Sequence, residues 1–266
     1  MIDKQIFKKI LVPVDGSHSC LHAKMFASSI AKKFKSKVTV VHVASHEFMH
    51  PELKAQYQLP HSILHKIDVD ARLVTFEDPA EYILELVKEE KFDLVVIGNR
   101  AEHQSERYSL GSITEKVARH SECSVLIVKK KPKVTKILSA VDGSEPSNKA
   151  LEYSAEFARN FNANLALVHV EEDKLVRIGG PQVVDCLGTV GECILKDAET
   201  KIKGLSFDKI LEYGSPAEIV IKVAKKANVD IIVVGSRGLS SVRRYMLGSV
   251  SDDISIHARS SVLIVR

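Results

Sequence analysis

The sequence predicts two tandem α/β domains, each a doubly wound five-stranded parallel sheet covered by helices. Three observations carry this. At 266 residues the chain is long for one domain, and halves of about 130 residues bury roughly two thirds of their unfolded surface without staples. Ile10-Leu11-Val12-Pro13-Val14-Asp15-Gly16-Ser17 returns 127 residues later as Ile137-Leu138-Ser139-Ala140-Val141-Asp142-Gly143-Ser144. Within each copy, short apolar runs alternate with stretches of helical periodicity, the pattern of strand–helix–strand units with right-handed crossovers.

The elements follow in order. Val41-His42-Val43 answers Val168-His169-Val170 at the same offset of 127. Later pairs share an offset of 137: Asp78-Pro79-Ala80-Glu81 with Ser215-Pro216-Ala217-Glu218, Asp93–Gly98 with Asp230–Gly235, and Ser124–Val128 with Ser261–Val265. The second copy therefore gains ten residues between its second and third strands. The Val/Ile/Leu-rich runs, polar only at their ends, suit strands buried on both faces of a parallel sheet. After the first strand, Ala23, Ala27, Ile30 and Phe34 form one helical stripe, matched by Leu151, Ala155, Ala158 and Phe161. Ser17 and Ser144 stand at N-cap positions, with Pro146 acceptable in the first turn. Pro51 and Pro60 shorten or break the helix expected between Ser45 and Lys66. The domains are expected at residues 1–131 and 132–266.

Composition narrows the functions available. The apolar fraction is 45% and the charged fraction 27%, ordinary for a globular protein. A net charge of +4, scattered along the chain, does not supply the concentrated basic face that nucleic acid requires. The basic run Lys129–Lys133 falls where the halves join and reads as a solvated linker. No apolar stretch is long enough to span a bilayer, and no secretory h-region precedes the first strand, so a cytoplasmic protein is expected. Cys20, Cys123, Cys186 and Cys193 form no CxxC pair and read as free thiols.

Open α/β sheets bind ligands beyond the carboxyl ends of their strands, near the point where strand order reverses. Several features of the second copy converge there. Its first strand ends at Ala140-Val141-Asp142 and its second at Val170. Its fourth ends in Gly235-Ser236-Arg237-Gly238, followed by nine residues and then Gly248-Ser249 opening a helix. Glycines let a backbone approach a ligand closely, and a helix N-terminus presents unpaired N–H groups to a phosphate. Ser249 with Asp252, and Ser112 with Glu115 in the first copy, read as capping boxes.

This Gly-x2-Gly-x9-Gly-Ser spacing, with the repeated strand ending in Asp, resembles the ATP-binding branch of the universal stress protein family in a tandem form. The likeness covers nearly the whole chain. Neither a Walker A loop nor a GxGxxG fingerprint is present. The resemblance implies the adenine nucleotide α-hydrolase-like fold and a stress-response regulatory protein that binds ATP, with Mg²⁺ on the phosphates. It implicates Asp142, Val170, Gly235, Gly238, Gly248 and Ser249, with Ala140, Val141, Val234 and Val250 beside them.

The first copy departs from the pattern. Its loop reads Gly98-Asn99-Arg100-Ala101, nine residues, then Gly111-Ser112. If the position of Ala101 needs a left-handed backbone, its β-carbon costs about 1–2 kcal/mol. Residues 102–110 carry Glu102, Glu106 and Arg107, a net of −1, whereas residues 239–247 carry Arg243 and Arg244, a net of +2. A triphosphate prefers the second loop on both counts. The first copy is expected to form a weaker site from Pro13, Val14, Asp15, Val43, Gly98, Gly111, Ser112 and Ile113.

Other clusters are weaker. His46/His50 and His61/His65 share the i, i+4 spacing of a zinc pair, but the intervening prolines and missing carboxylates favour exposed polar histidines over a metal site. His42 and His169 repeat inside strands and read as structural, and Cys186 and Cys193 as packing residues. Two alternatives to regulated ATP binding stay open: a slow ATPase or autophosphorylating enzyme, with Ser240, Ser241 or Ser249 as acceptor, and a nucleotide-free scaffold. Positions 235–251 contain no Asp, Glu or His to act as general base, so binding is favoured over turnover. Family members pair through their last strands, which implies intramolecular pairing along Val125–Val128 and Val262–Val265, and leaves a homodimer of chains possible.

Overall fold

The computed structural model describes residues 5–44, 67–99, 110–172, 190–238 and 247–266. The chain divides into two units, Met1–Lys133 and Val134–Arg266. The first unit runs β1 (Lys9–Val14), α1 (His18–Phe34), β2 (Lys37–Ala44), β3 (Val69–Thr75), α2 (Pro79–Glu90), β4 (Leu94–Gly98), α3 (Ser112–His120) and β5 (Ser124–Val128). The second runs β6 (Lys136–Ala140), α4 (Glu145–Phe161), β7 (Asn164–Glu172), α5 over residues 190–201, β8 (Phe207–Gly214), α6 (Pro216–Ala227), β9 (Ile231–Gly235), α7 (Ser249–His257) and β10 (Ser261–Val265).

All strand pairs within each unit are parallel, in the order β3-β2-β1-β4-β5 and its counterpart β8-β7-β6-β9-β10. Strand order therefore reverses between β1 and β4, where Ile10 pairs Leu94, and between β6 and β9, where Ile137 pairs Ile231. The central strands are covered on both faces: Ile10, Leu11, Val12, Leu94, Val95 and Val96 have no exposed surface. The edge strands β3 and β8 are instead studded with charge, which blunts an open hydrogen-bonding edge. On β3, Arg72 pairs with Asp70 at 2.7 Å and with Glu90 of α2.

The helical stripe of α1 is buried, with Ala23, Ala27, Ile30 and Phe34 at 7% exposure or less. In α4, Leu151, Ala155 and Ala158 are buried, while Phe161 is half-buried and stacks on Phe157. Four helices end on a left-handed residue, Lys35, Lys91, Asn162 and Asn228. Among the described residues no helix is long and apolar enough to cross a membrane.

Candidate functional site

Each unit builds its site from the turn after its first strand. Gly143 takes φ +81°, a value open to glycine without strain, and turns the chain back toward α4. Asp142 Oδ1 accepts the Ser144 N–H at 2.9 Å, and the Asp142 N–H donates to Ser147 Oγ at 3.0 Å. Ser144 is the N-cap and its hydroxyl accepts the Ser147 N–H. The same turn recurs at Asp15, with one exchange. Gly16 is again at φ +81° and Ser17 N–H again donates to the carboxylate, but Cys20 replaces the serine. The Cys20 thiol donates to Asp15 Oδ1 at 2.8 Å, and the Asp15 N–H points to Cys20 Sγ at 3.2 Å. Burial, and then the Asp15 hydrogen bond, push the Cys20 thiol up from its ordinary value. Ser17 occupies the N-cap position but makes no capping bond, its hydroxyl lying against Ser19 Oγ.

The strand-end glycines have a packing role. A β-carbon on Gly235 would lie 2.7 Å from the backbone carbon of Pro146, and one on Gly98 would lie 2.7 Å from that of Ser19. Both glycines let the first turn of the helix that follows the unit's first strand, α1 or α4, press onto the strand end. Gly238 differs, because its β-carbon would meet Asp142 Oδ2 at 2.6 Å. The glycine backbone of the fourth-strand loop thus lies directly against the first-strand carboxylate, across the switch point. Gly248 closes the other end of the loop, its N–H donating to Ser236 O at 2.8 Å.

The last helices begin one residue earlier than capping boxes require. Gly111 and Gly248 are the N-caps of α3 and α7, and Ser112 and Ser249 are already helical. The Ser112/Glu115 and Ser249/Asp252 pairings are therefore not capping boxes. A different side chain anchors each helix, three residues after its N-cap. Ser251 Oγ donates to Gly235 O at 2.6 Å and Thr114 Oγ1 to Gly98 O at 2.9 Å, tying the helix start to the strand end. Only the shared hydroxyl at these positions of the repeat could have signalled this. His42 and His169 fasten the neighbouring strand: Nδ1 of each bonds to the carbonyl of Val14 or Val141. A carbonyl only accepts, so Nδ1 carries the proton.

In the first unit these elements enclose an open cleft with a cavity volume of about 140 Å³. Pro13, Val14, Asp15, Val43, Gly98, Gly111, Ser112 and Ile113 all line it, as the sequence groups them. Cys20, Val41, Pro79, Ile83 and Thr114 also line it and were not anticipated. Cys20 could have been found from its alignment with Ser147. In the second unit Ala140, Val141, Asp142, Val170, Val234 and Gly235 stand at strand ends, with Val141 and Val234 buried and Ala140 and Val170 half-buried. Gly238 and Gly248 are half-buried beside them, while Ser249 and Val250 are exposed at the first turn of α7. Ala101, Ser240, Ser241, Arg243, Arg244, Cys186 and the histidines from His46 to His65 lie outside the described residues. Among the described residues no group of three metal-ligating side chains occurs, and Cys20, Cys123 and Cys193 form no disulfide.

Two parallel sheets in tandem, each with an Asp-Gly-Ser turn at the point where its strand order reverses, define a tandem Rossmann-like α/β protein. The model of the universal stress protein family matches residues 6–129 and again residues 133–266, and the chain belongs to that family. A universal stress protein of Bacillus subtilis is 34% identical over 145 residues, covering 49% of this chain and 98% of its own. A universal stress protein of Archaeoglobus fulgidus superposes with a TM-score of 0.73 at 23% identity, covering 97% of this chain and 98% of its own. A functionally unknown protein of Pseudomonas aeruginosa gives 0.79 at 15% identity, over 98% and 93%, and shares the fold.

Proposed function

We propose that this chain is a stress-response regulatory protein that binds ATP, chiefly in its second unit. The observation that carries the reading is the approach of Gly238 to Asp142: a side chain there would strike the carboxylate at 2.6 Å. It brings the fourth-strand loop over the end of β6, with the N-terminus of α7 following at Gly248. Adenine and ribose would lie along Val141, Asp142 and Val170, and the phosphates against Gly238, Gly248 and the first N–H groups at Ser249. Mg²⁺ would ride on the phosphate oxygens, whose charge it would partly neutralise, beside the Ser249 hydroxyl as the nearest protein oxygen donor of the kind it accepts. Action in the cytoplasm, as a single chain or a homodimer, belongs to the same proposal.

Gly238→Ala tests it. The displaced atom is the end of an Asp side chain, so the fold should survive with an unchanged melting temperature. The carboxylate must turn away, and ATP affinity by equilibrium dialysis should fall about tenfold, equivalent to about 1.4 kcal/mol. Unchanged affinity would remove the loop from the site. Phosphate release from ATP would turn the reading toward a slow ATPase.

A further inference from the structure

A phosphate held by the start of a helix is held only as well as that start is itself aimed. α7 opens at Gly248, with Ser249 and Val250 exposed in its first turn. Two bonds fasten this opening to the end of β9, at successive carbonyls. The Gly248 N–H donates to Ser236 O at 2.8 Å, and Ser251 Oγ donates to Gly235 O at 2.6 Å. A β-carbon on Gly248 would lie 3.4 Å from the Arg237 Cα and 3.8 Å from the Gly238 nitrogen. The helix start therefore rests on the stretch of backbone that leads to Gly238 and Asp142.

The two bonds do different work. The Gly248 N–H belongs to the N-cap itself, and a helix held there alone could pivot about it. Ser251 supplies the second point, three residues further on, and so fixes the direction of the axis. Side chains lean toward a helix's N-terminus, which lets a hydroxyl at this position reach back to the strand end. Ser251 is 5% exposed, and its carbonyl accepts the hydroxyl of the fully buried Ser255 at 2.6 Å. Both hydroxyls are thus spent inside the protein. The first unit makes the same tie with another residue: Thr114 Oγ1 donates to Gly98 O at 2.9 Å, and Gly111 and Ser112 at that helix start line the cleft. What the two positions share is the hydroxyl.

An anion gains from helix N–H groups only when they converge on it, and the gain fades beyond the first turn. Adenosine carries no anion and draws nothing from them. Resting on the reading of the second unit as the ATP site, we propose that Ser251 is a positioning residue that sets the site's preference for phosphorylated over unphosphorylated nucleoside. It acts without touching the ligand, by aiming the first N–H groups of α7.

Ser251→Thr and Ser251→Val test this, because the two side chains have nearly the same shape and only threonine keeps the hydroxyl. ATP and adenosine are each titrated by equilibrium dialysis against these two full-length chains and wild type. The first cleft and residues 239–247, with Arg243 and Arg244, are common to all three. With valine, ATP affinity should fall about fivefold or more while adenosine affinity holds; with threonine both should stay near wild type. Ser251→Ala replaces the valine chain should its melting curve show misfolding. An unchanged ratio of the two affinities in the hydroxyl-free chain would overturn the proposal and leave nucleotide binding intact, the tie then serving stability alone. So would equal losses of ATP and adenosine, or a threonine chain that loses the preference as valine does. If wild type binds neither ligand, the nucleotide reading fails and this proposal with it.

Discussion

Position 20 shows how one atom can retune a repeated turn. Ser147 uses its hydroxyl to accept the Asp142 N–H, leaving the carboxylate to Ser144 and to the approach of Gly238. Cys20 likewise accepts the Asp15 N–H but also donates its S–H to the carboxylate, and burial together with that bond raises the thiol's pKa. Thiolate, not thiol, is the nucleophile, so Cys20 should be sluggish toward electrophiles despite lining a cleft. At pH 7, maleimide should label the exposed Cys193 well before Cys20, read by peptide mapping over time. Asp15→Asn, which removes the charge beside the thiol, should speed Cys20. Equal rates for Cys20 and Cys193 in the wild type would contradict the assigned environment.

Between elements, the glycines at the ends of β4 and β9 decide how closely a helix can sit on its sheet. Gly235→Ala forces a β-carbon to within 2.7 Å of Pro146 backbone carbon and 2.9 Å of Ser147 nitrogen, and neither can step aside without moving the turn below Asp142. Overpacking of this kind costs about 1–3 kcal/mol, so urea unfolding of Gly235→Ala should show a loss in that range, and Gly98→Ala a similar one. A variant as stable as wild type would mean that the helix start yields easily. These glycines also show what the residues alone could say. A glycine after a buried strand reads equally well as room for a ligand or room for a helix, because both require a missing β-carbon. The helix starts were misread by one residue for a related reason. Gly-Ser offers two adjacent capping residues, and only the backbone angles, φ −71° and ψ 150° at Gly248, choose the first.

At the scale of the chain, the duplication and the succession of strands were legible because buried parallel strands leave uninterrupted apolar runs, which repeated at fixed offsets. The lining of the first cleft was half legible: motif positions marked Pro13 to Ile113, but Pro79, Ile83 and Val41 come from elements that meet only on folding. The basic run near the boundary is exposed at Lys131 and Lys133, as a solvated linker requires, but charge patterning carries no depth and does not show that its first residues are half-buried. Lys129 is half-buried, and desolvation pushes its ammonium down to about 8. Between about pH 8 and its unfolded value of 10.5, the unfolded chain holds a proton that the native chain has released, so this group makes stability rise with pH. Below pH 8 both forms are charged, and the native state bears the full cost of a poorly hydrated ammonium. Lys129→Met should therefore stabilise the protein at pH 7, by roughly 3 kcal/mol at most. The gain should shrink as the pH approaches 10. Paired urea melts of the two chains at pH 7 and pH 10 measure this difference; a gain independent of pH would show that the methionine acts through packing alone, with no part played by the buried charge.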